Sequence, residues 1–183
     1  MNTSISMLRG INVSGKNRIM MAALKEVYLG LGFSNVVTYV QSGNVIFDSA
    51  EADAAELAGT IEAAIKQSFG FDVPVILRDK SRFQQLLNNN PFTHARNEDP
   101  TKLHITFLSD VPTLGIPAIP DGCGDEFVLD DKELYLFCPG GYGETKLSNS
   151  FFERKLKVTA TTRNWKTVNT LYEIASRGAV SAP

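Results

Sequence analysis

The sequence predicts an α+β chain with antiparallel sheets, and three observations carry that expectation. Its first 79 residues run strand, helix, strand, strand, helix, strand. Two pairs of short apolar strands are separated by brief polar turns, which forces antiparallel pairing. Hydrophobic residues make up 43% of 183 positions and charged ones 21%, enough to build a core without disulfides or metals.

The first strand is Ser4 to Leu8, followed by a loop from Gly10 to Asn17. Met21, Leu24, Val27, Tyr28 and Leu31 recur at helical spacing, so a helix runs from about Met20 to Leu31, with Gly32 closing it. Val36 to Val40 is β-branched and aromatic, hence a strand. Ser42-Gly43 turns the chain, and Val45-Ile46-Phe47 returns it. Leu57, Ile61, Ala64, Ile65 and Phe69 stripe a second helix over roughly 52–68. Glu51 and Asp53 sit near its positive end. Val73 to Leu77 is the fourth strand. This order is the ferredoxin-like split βαβ arrangement.

The second half is less regular. Ser81 and Gln84 form a capping box for a short helix, which Asn88-Asn89-Asn90-Pro91 stops. Leu103 to Leu108 is a strand, and the Pro- and Gly-rich stretch 111–124 is loop. Phe127-Val128-Leu129 and Leu134 to Phe137 flank the turn Asp130-Asp131-Lys132 as a hairpin. A helix follows near 148–156, and a last one from about Trp165 to Arg177, capped by Asn164 or Thr162 and closed by Gly178. The expected organisation is two packed ferredoxin-like subdomains. The first is 1–79; the second is 80–183, includes the C-terminal helix and packs with the first as one unit.

A net charge of −2 and a pI near 5.7 provide no global basic field, so anion binding must come from a local cluster. No apolar run approaches the ~20 residues of a membrane span, and no basic-then-apolar leader opens the chain, so a cytoplasmic protein without membrane contact is expected. The two cysteines, Cys123 and Cys138, are then expected to be reduced. No cofactor motif occurs and no cofactor is expected. His94 and His104 lack a partner cluster for a metal. Asp130 and Asp131 read as a turn. Cys138, without an evident base, reads as a small buried hydrophobe.

Gly10-Ile11-Asn12-Val13-Ser14-Gly15-Lys16-Asn17 spells G-x-x-x-x-G-K, one residue short of a phosphate-binding loop. Asn17 stands where the hydroxyl for Mg²⁺ is needed. The helix after it leads into an antiparallel hairpin, whereas phosphate-binding loops belong to parallel sheets. A Gly-rich turn with Asn17 capping the helix is the simpler expectation.

In a split βαβ unit the first two strands are parallel, with the third between them. The end of the first strand and the hairpin after the second therefore share one sheet edge. That brings Arg9, Asn12, Lys16 and Asn17 beside Gln41, Ser42 and Asn44, with the start of the first helix at the same place. The functional expectation is an anion site, in which cations supply charge and amides direct bonds. The competing expectation is that the amides satisfy loop backbone. Arg163 and Lys166 flank the start of the last helix, where cations oppose the dipole. Arg163 and Asn164 therefore join the expected site, with segment 161–166 closing over the first-loop edge.

Three segments together resemble the bacterial domain-of-unknown-function family 1697. They are Leu8-Arg9-Gly10-Ile11-Asn12-Val13 with Gly15-Lys16-Asn17; Thr38 to Val45; and Thr161 to Val168 followed by Leu171. The resemblance implies two similar α+β subdomains, an uncharacterised bacterial protein and no assigned catalytic residues. Glu144 departs from the family, where that position is often basic.

Three functions follow as expectations. The first is a binding protein whose anionic ligand (a nucleotide, a phosphorylated metabolite or RNA) sits at the 9–17 and 41–44 edge. The second is an enzyme acting on a phosphorylated substrate, with catalytic residues unknown and its status as an enzyme uncertain. The third is a structural or subunit-interaction module, for which an oligomer is open. The first strand has no aromatic pair for stacking RNA bases.

Overall fold

Eight strands and six helices follow one another among the described residues. The computed structural model describes residues 1–13, 15–51, 53–119 and 124–177. It forms two compact units: Met1–Gln84 with Thr170–Pro183, and Gln85–Asn169. The unit boundaries fall inside two helices. The C-terminal half of the last helix groups with the first unit, whereas the sequence reading gave the whole helix to the second.

The first unit contains β1 (Asn2–Leu8), α1 (Met21–Gly30), β2 (Ser34–Tyr39), β3 (Asn44–Ser49), α2 (Ala54–Phe69) and β4 (Val75–Asp79). Its sheet order is β2-β3-β1-β4, and every pairing is antiparallel. β1 and β2 are thus parallel with β3 between them, as the split βαβ pattern requires. Strand alternation sends Leu8, Val45, Phe47 and Leu77 into a core with Leu24 and Tyr28 of α1 and Leu57, Ile61 and Ile65 of α2. Phe33 stacks on Phe47 at 4.5 Å, and Tyr28 meets Phe47 edge-on at 5.3 Å. The buried Tyr28 hydroxyl shares a 2.7 Å hydrogen bond with Ser6. Burial raises its pKa well above the ordinary tyrosine value, and the Ser6 bond offsets part of that rise. α2 begins on Asp53, which accepts from the N–H groups of Ala55 and Glu56, and ends on Gly70 at φ 83°.

α3 (Lys80–Asn89) spans the first boundary. Its cap is Asp79, not Ser81 as the capping-box pattern suggested. Asp79 accepts from Arg82 N–H at 2.7 Å and from the Ser81 hydroxyl at 2.7 Å. A carboxylate one position before the helix outcompetes a hydroxyl already inside its first turn. Asn90 then caps the short α4 (Pro91–His94).

The second unit contains β5 (Leu103–Leu108), β6 (Glu126–Asp130), β7 (Glu133–Phe137), α5 (Asn149–Leu156) and β8 (Ala160–Asn164), and α6 (Trp165–Arg177) crosses out of it. The sheet order β6-β7-β5-β8 repeats the first unit's. The first crossover differs. Where the first unit has α1, no helix lies between β5 and β6 among the described residues. β8 was not recognised in the sequence. Ala160-Thr161-Thr162-Arg163 has no apolar alternation, yet it completes the sheet against β5. Leu108, Leu134, Leu136, Phe152 and Leu156 form this unit's core. Asn164 caps α6 by accepting from Thr167 N–H at 2.8 Å. Gly178, expected to close α6, lies outside the described residues.

Candidate functional site

The loop after β1 folds back on itself. Asn12 N–H donates to the Asn17 carbonyl at 3.1 Å and Lys16 N–H to the Val13 carbonyl at 3.0 Å. Val13 and Lys16 pair as an isolated antiparallel bridge. A phosphate-binding loop needs such N–H groups to point inward at a ligand and its Lys to open the helix. Here both N–H groups are consumed, and Arg18–Met20 separate Asn17 from α1. The near-motif is therefore a miniature hairpin. Asn17 is not the helix cap either. That position is Met20, and Asn17 at φ 47° donates its amide to the Gly10 carbonyl at 3.3 Å.

The edge predicted from topology is present. Leu8 N–H donates to the Gly43 carbonyl at 2.8 Å, and Met7 faces Asn44 across β1 and β3. Asn12 joins the two loops. Its Nδ2 donates to the carbonyls of Gln41 (2.8 Å) and Ile19 (3.0 Å), and its Oδ1 accepts from Ile19 N–H (2.9 Å). Asn44 is fully buried and donates to the Tyr39 carbonyl (3.0 Å) and to Ser42 Oγ (3.1 Å). The three asparagines thus hold the irregular backbone. Arg9 is partly exposed at the strand end, and its N–H donates to the Pro74 carbonyl at 2.9 Å. Lys16, Gln41 and Ser42 are exposed.

A cleft of about 630 Å³ opens at this edge, lined by Asn12, Gly15, Arg18, Gln41 and the first residues of α1, Met21 and Ala22. No side chain caps α1, and its first turn holds no acidic residue. The positive end of a ten-residue helix therefore lines the cleft beside a guanidinium. Arg18 was missed in the sequence. Its signal, a cation three positions before an uncapped helix, depends on α1 beginning at Met21, beyond the reach of Asn17.

Arg163 and Asn164 belong to β8 of the second unit. Arg163 is 7% exposed, faces Ile105 across the ladder and donates to Thr161 Oγ1 (2.7 Å) and the Thr162 carbonyl (2.9 Å). Asn164 spends its Oδ1 on the α6 cap.

Elsewhere the chemistry is sparse. Ile5, Met7, Ile46 and Ile76 on one face of the first sheet are as buried as Leu8, Val45 and Phe47 on the other, which leaves no aromatic platform for bases. Cys138 is fully buried, and Cys123 lies outside the described residues. Among the described residues no group of three or more His, Cys, Asp or Glu is placed to hold a metal ion, and no helix is long and apolar enough to cross a membrane.

No curated protein matches the chain. A solved structure of a conserved bacterial protein from Streptococcus pneumoniae is similar in fold, with a TM-score of 0.70 at 23% identity, covering 95% of this chain and 98% of that one. The pattern of the family described as "Protein of unknown function (DUF1697)" matches residues 1–135, which span β1 through most of β7 and include the whole first-loop edge, so the chain belongs to that family.

Proposed function

We propose that this protein binds a small anionic ligand, a nucleotide or phosphorylated metabolite, in the cleft between the first loop and the 40–43 turn, and does so in the cytoplasm. One observation carries the reading: the uncapped start of α1 lines the same cleft as Arg18 and Gln41. Helix amides and a guanidinium both favour a phosphate-type anion. Gln41 adds neutral hydrogen-bonding capacity for a sugar or base. Among the described residues the cleft lining includes no carboxylate, imidazole or thiol to serve as acid, base or nucleophile, which favours binding over catalysis. Burial of both sheet faces favours a small molecule over RNA.

The test is a thermal-shift series with inorganic phosphate, pyrophosphate, a nucleoside monophosphate, a sugar phosphate and a short RNA. A ligand at a hundred times its Kd adds about 2.7 kcal/mol of stability. The reading requires at least one phosphate compound to raise Tm in the native protein and not in Arg18→Gln. If none does, it fails.

A further inference from the structure

The bulge in β2 builds a second cavity on the first unit. Ser34 faces Asp48 and Val37 faces Ile46, so Asn35 and Val36 crowd into one place in the ladder. Asn35 takes a φ of 53° and donates its amide to one Asp48 oxygen at 2.7 Å. Thr3, across β3, donates to the other oxygen at 2.6 Å. Val36 turns into the core. Beside the bulge lies a cavity of about 550 Å³, within the size range of small-molecule sites. Leu29 of α1, Val37, Ile46 and Ile174 of α6 supply apolar wall, and Lys25, Asp48 and Arg177 supply charge.

The charges are not paired with one another. Asp48 is held by two neutral donors. Among the described residues Arg177 pairs only with Glu173 of its own helix, at 3.8 Å. Lys25 has no ion-pair or hydrogen-bond partner among the described residues. Leu29 and Val37 are each 41% exposed at the same place. Apolar wall left in water beside an unpaired lysine and an arginine held by one long, exposed ion pair suits an amphipathic anion. A cationic ligand would meet two like charges and one carboxylate already hydrogen-bonded. A doubly charged phosphate would bring too much hydrated charge against apolar walls and Asp48.

We propose that this cavity binds a small monocarboxylate with an apolar body, its carboxylate between Lys25 and Arg177 and its chain along Val37, Ile46 and Ile174. The site is separate from the phosphate-type cleft and does not depend on it.

Titration calorimetry with octanoate, octanol and octylammonium on the whole protein tests this. Octanoate should bind about fivefold more tightly than octanol, as an exposed charge pair allows, and octylammonium should bind weakest. Lys25→Glu, an exposed helix position, should keep the circular dichroism spectrum and invert the order of octanoate and octylammonium. Arg177→Glu should act in the same direction. Arg18→Gln should leave octanoate binding unchanged. Equal affinity for octanoate and octanol, indifference to both charge reversals, or no octanoate binding at millimolar concentration would overturn the proposal.

Discussion

The side-chain amide of Asn12 donates to the backbone carbonyl of Gln41 at 2.8 Å and so ties the loop after β1 to the turn between β2 and β3. The same amide donates to the Ile19 carbonyl and accepts from the Ile19 N–H. One residue at φ 55° thus fixes both walls of the candidate cleft. Asn12→Ala should cost about 1–3 kcal/mol, from lost hydrogen bonds and a left-handed alanine. Urea unfolding reads the loss, and amide exchange at Ile19 should quicken. An unchanged midpoint with unchanged Ile19 exchange would show that Asn12 does not hold the edge.

Gly43 is the tighter constraint. It sits at φ 77°, and a Cβ there would lie 2.6 Å from Ile11 Cδ1 and 2.9 Å from Leu8 Cβ. The isoleucine tip can swing away; the Leu8 Cβ is fixed to its strand. Gly43→Ala should cost roughly 2–4 kcal/mol, combining positive-φ strain with overpacking. Gly32 provides the control. Its φ is 81° with nothing within 4 Å of an added Cβ, so Gly32→Ala should cost only about 1 kcal/mol. Equal losses at the two positions would show that the contact with Leu8 is relieved by backbone movement.

The difference between what was legible and what was not follows from how each feature is encoded. The first unit's topology was readable because its strands and helices each carry a clean period and Gly, Asn or Asp marks their ends. β8 was not, because Thr161, Thr162 and Arg163 owe their strand to pairing with β5 and not to apolar alternation. The shared edge of Arg9, Asn12 and Gln41 was derivable from strand order alone. The use of the asparagines was not, because an amide that binds a ligand and one that binds its own backbone read alike in a sequence. Arg18 escaped because its meaning depends on α1 lacking a cap, and so on where that helix begins.

His104 should give the second unit a pH dependence. It stacks on Tyr142 at 4.8 Å, and its buried Nδ1 has no hydrogen-bond partner among the described residues. Burial lowers its pKa, partly offset by a hydrogen bond with the Lys102 backbone. The folded form therefore resists protonation while the unfolded chain titrates near 6.5. Stability is full above that value, falls as pH drops through it, and levels off below the folded pKa. His104→Phe keeps a ring against Tyr142 and removes the titration, so its Tm should change less than the native protein's between about pH 7 and pH 5. Parallel curves would assign the acid sensitivity to other groups.

Arg163 lies within the sheet, where a charge reversal acts on folding first. Arg163→Glu replaces a cation that donates to Thr161 and Thr162 with a carboxylate that only accepts. The cost should be about 3–5 kcal/mol, that of an uncompensated buried charge. Arg163→Met, similar in length and uncharged, should lose less. Denaturant midpoints for the pair separate the two effects. A tolerated glutamate would mean that the site admits water.

At the first-loop edge, Arg18 and Lys16 should differ in their effect on anion binding. Both are exposed cations on the same loop, but Arg18 lines the cleft beside the α1 N-terminus, whereas Lys16 is not part of that lining. A guanidinium in place can make a bidentate bond to a phosphate; a lysine outside the cleft contributes only a screened field. Arg18→Gln should therefore weaken binding of a phosphate compound by about tenfold or more, the equivalent of one charge-assisted hydrogen bond. Lys16→Ala should cost about twofold at low salt and almost nothing near 0.5 M, where the Debye length is shorter than the separation of exposed groups. Calorimetric titrations of both variants at two salt concentrations decide between them. A larger loss in Lys16→Ala that persists at high salt would move the anion out of the cleft and onto the miniature hairpin at Val13 and Lys16.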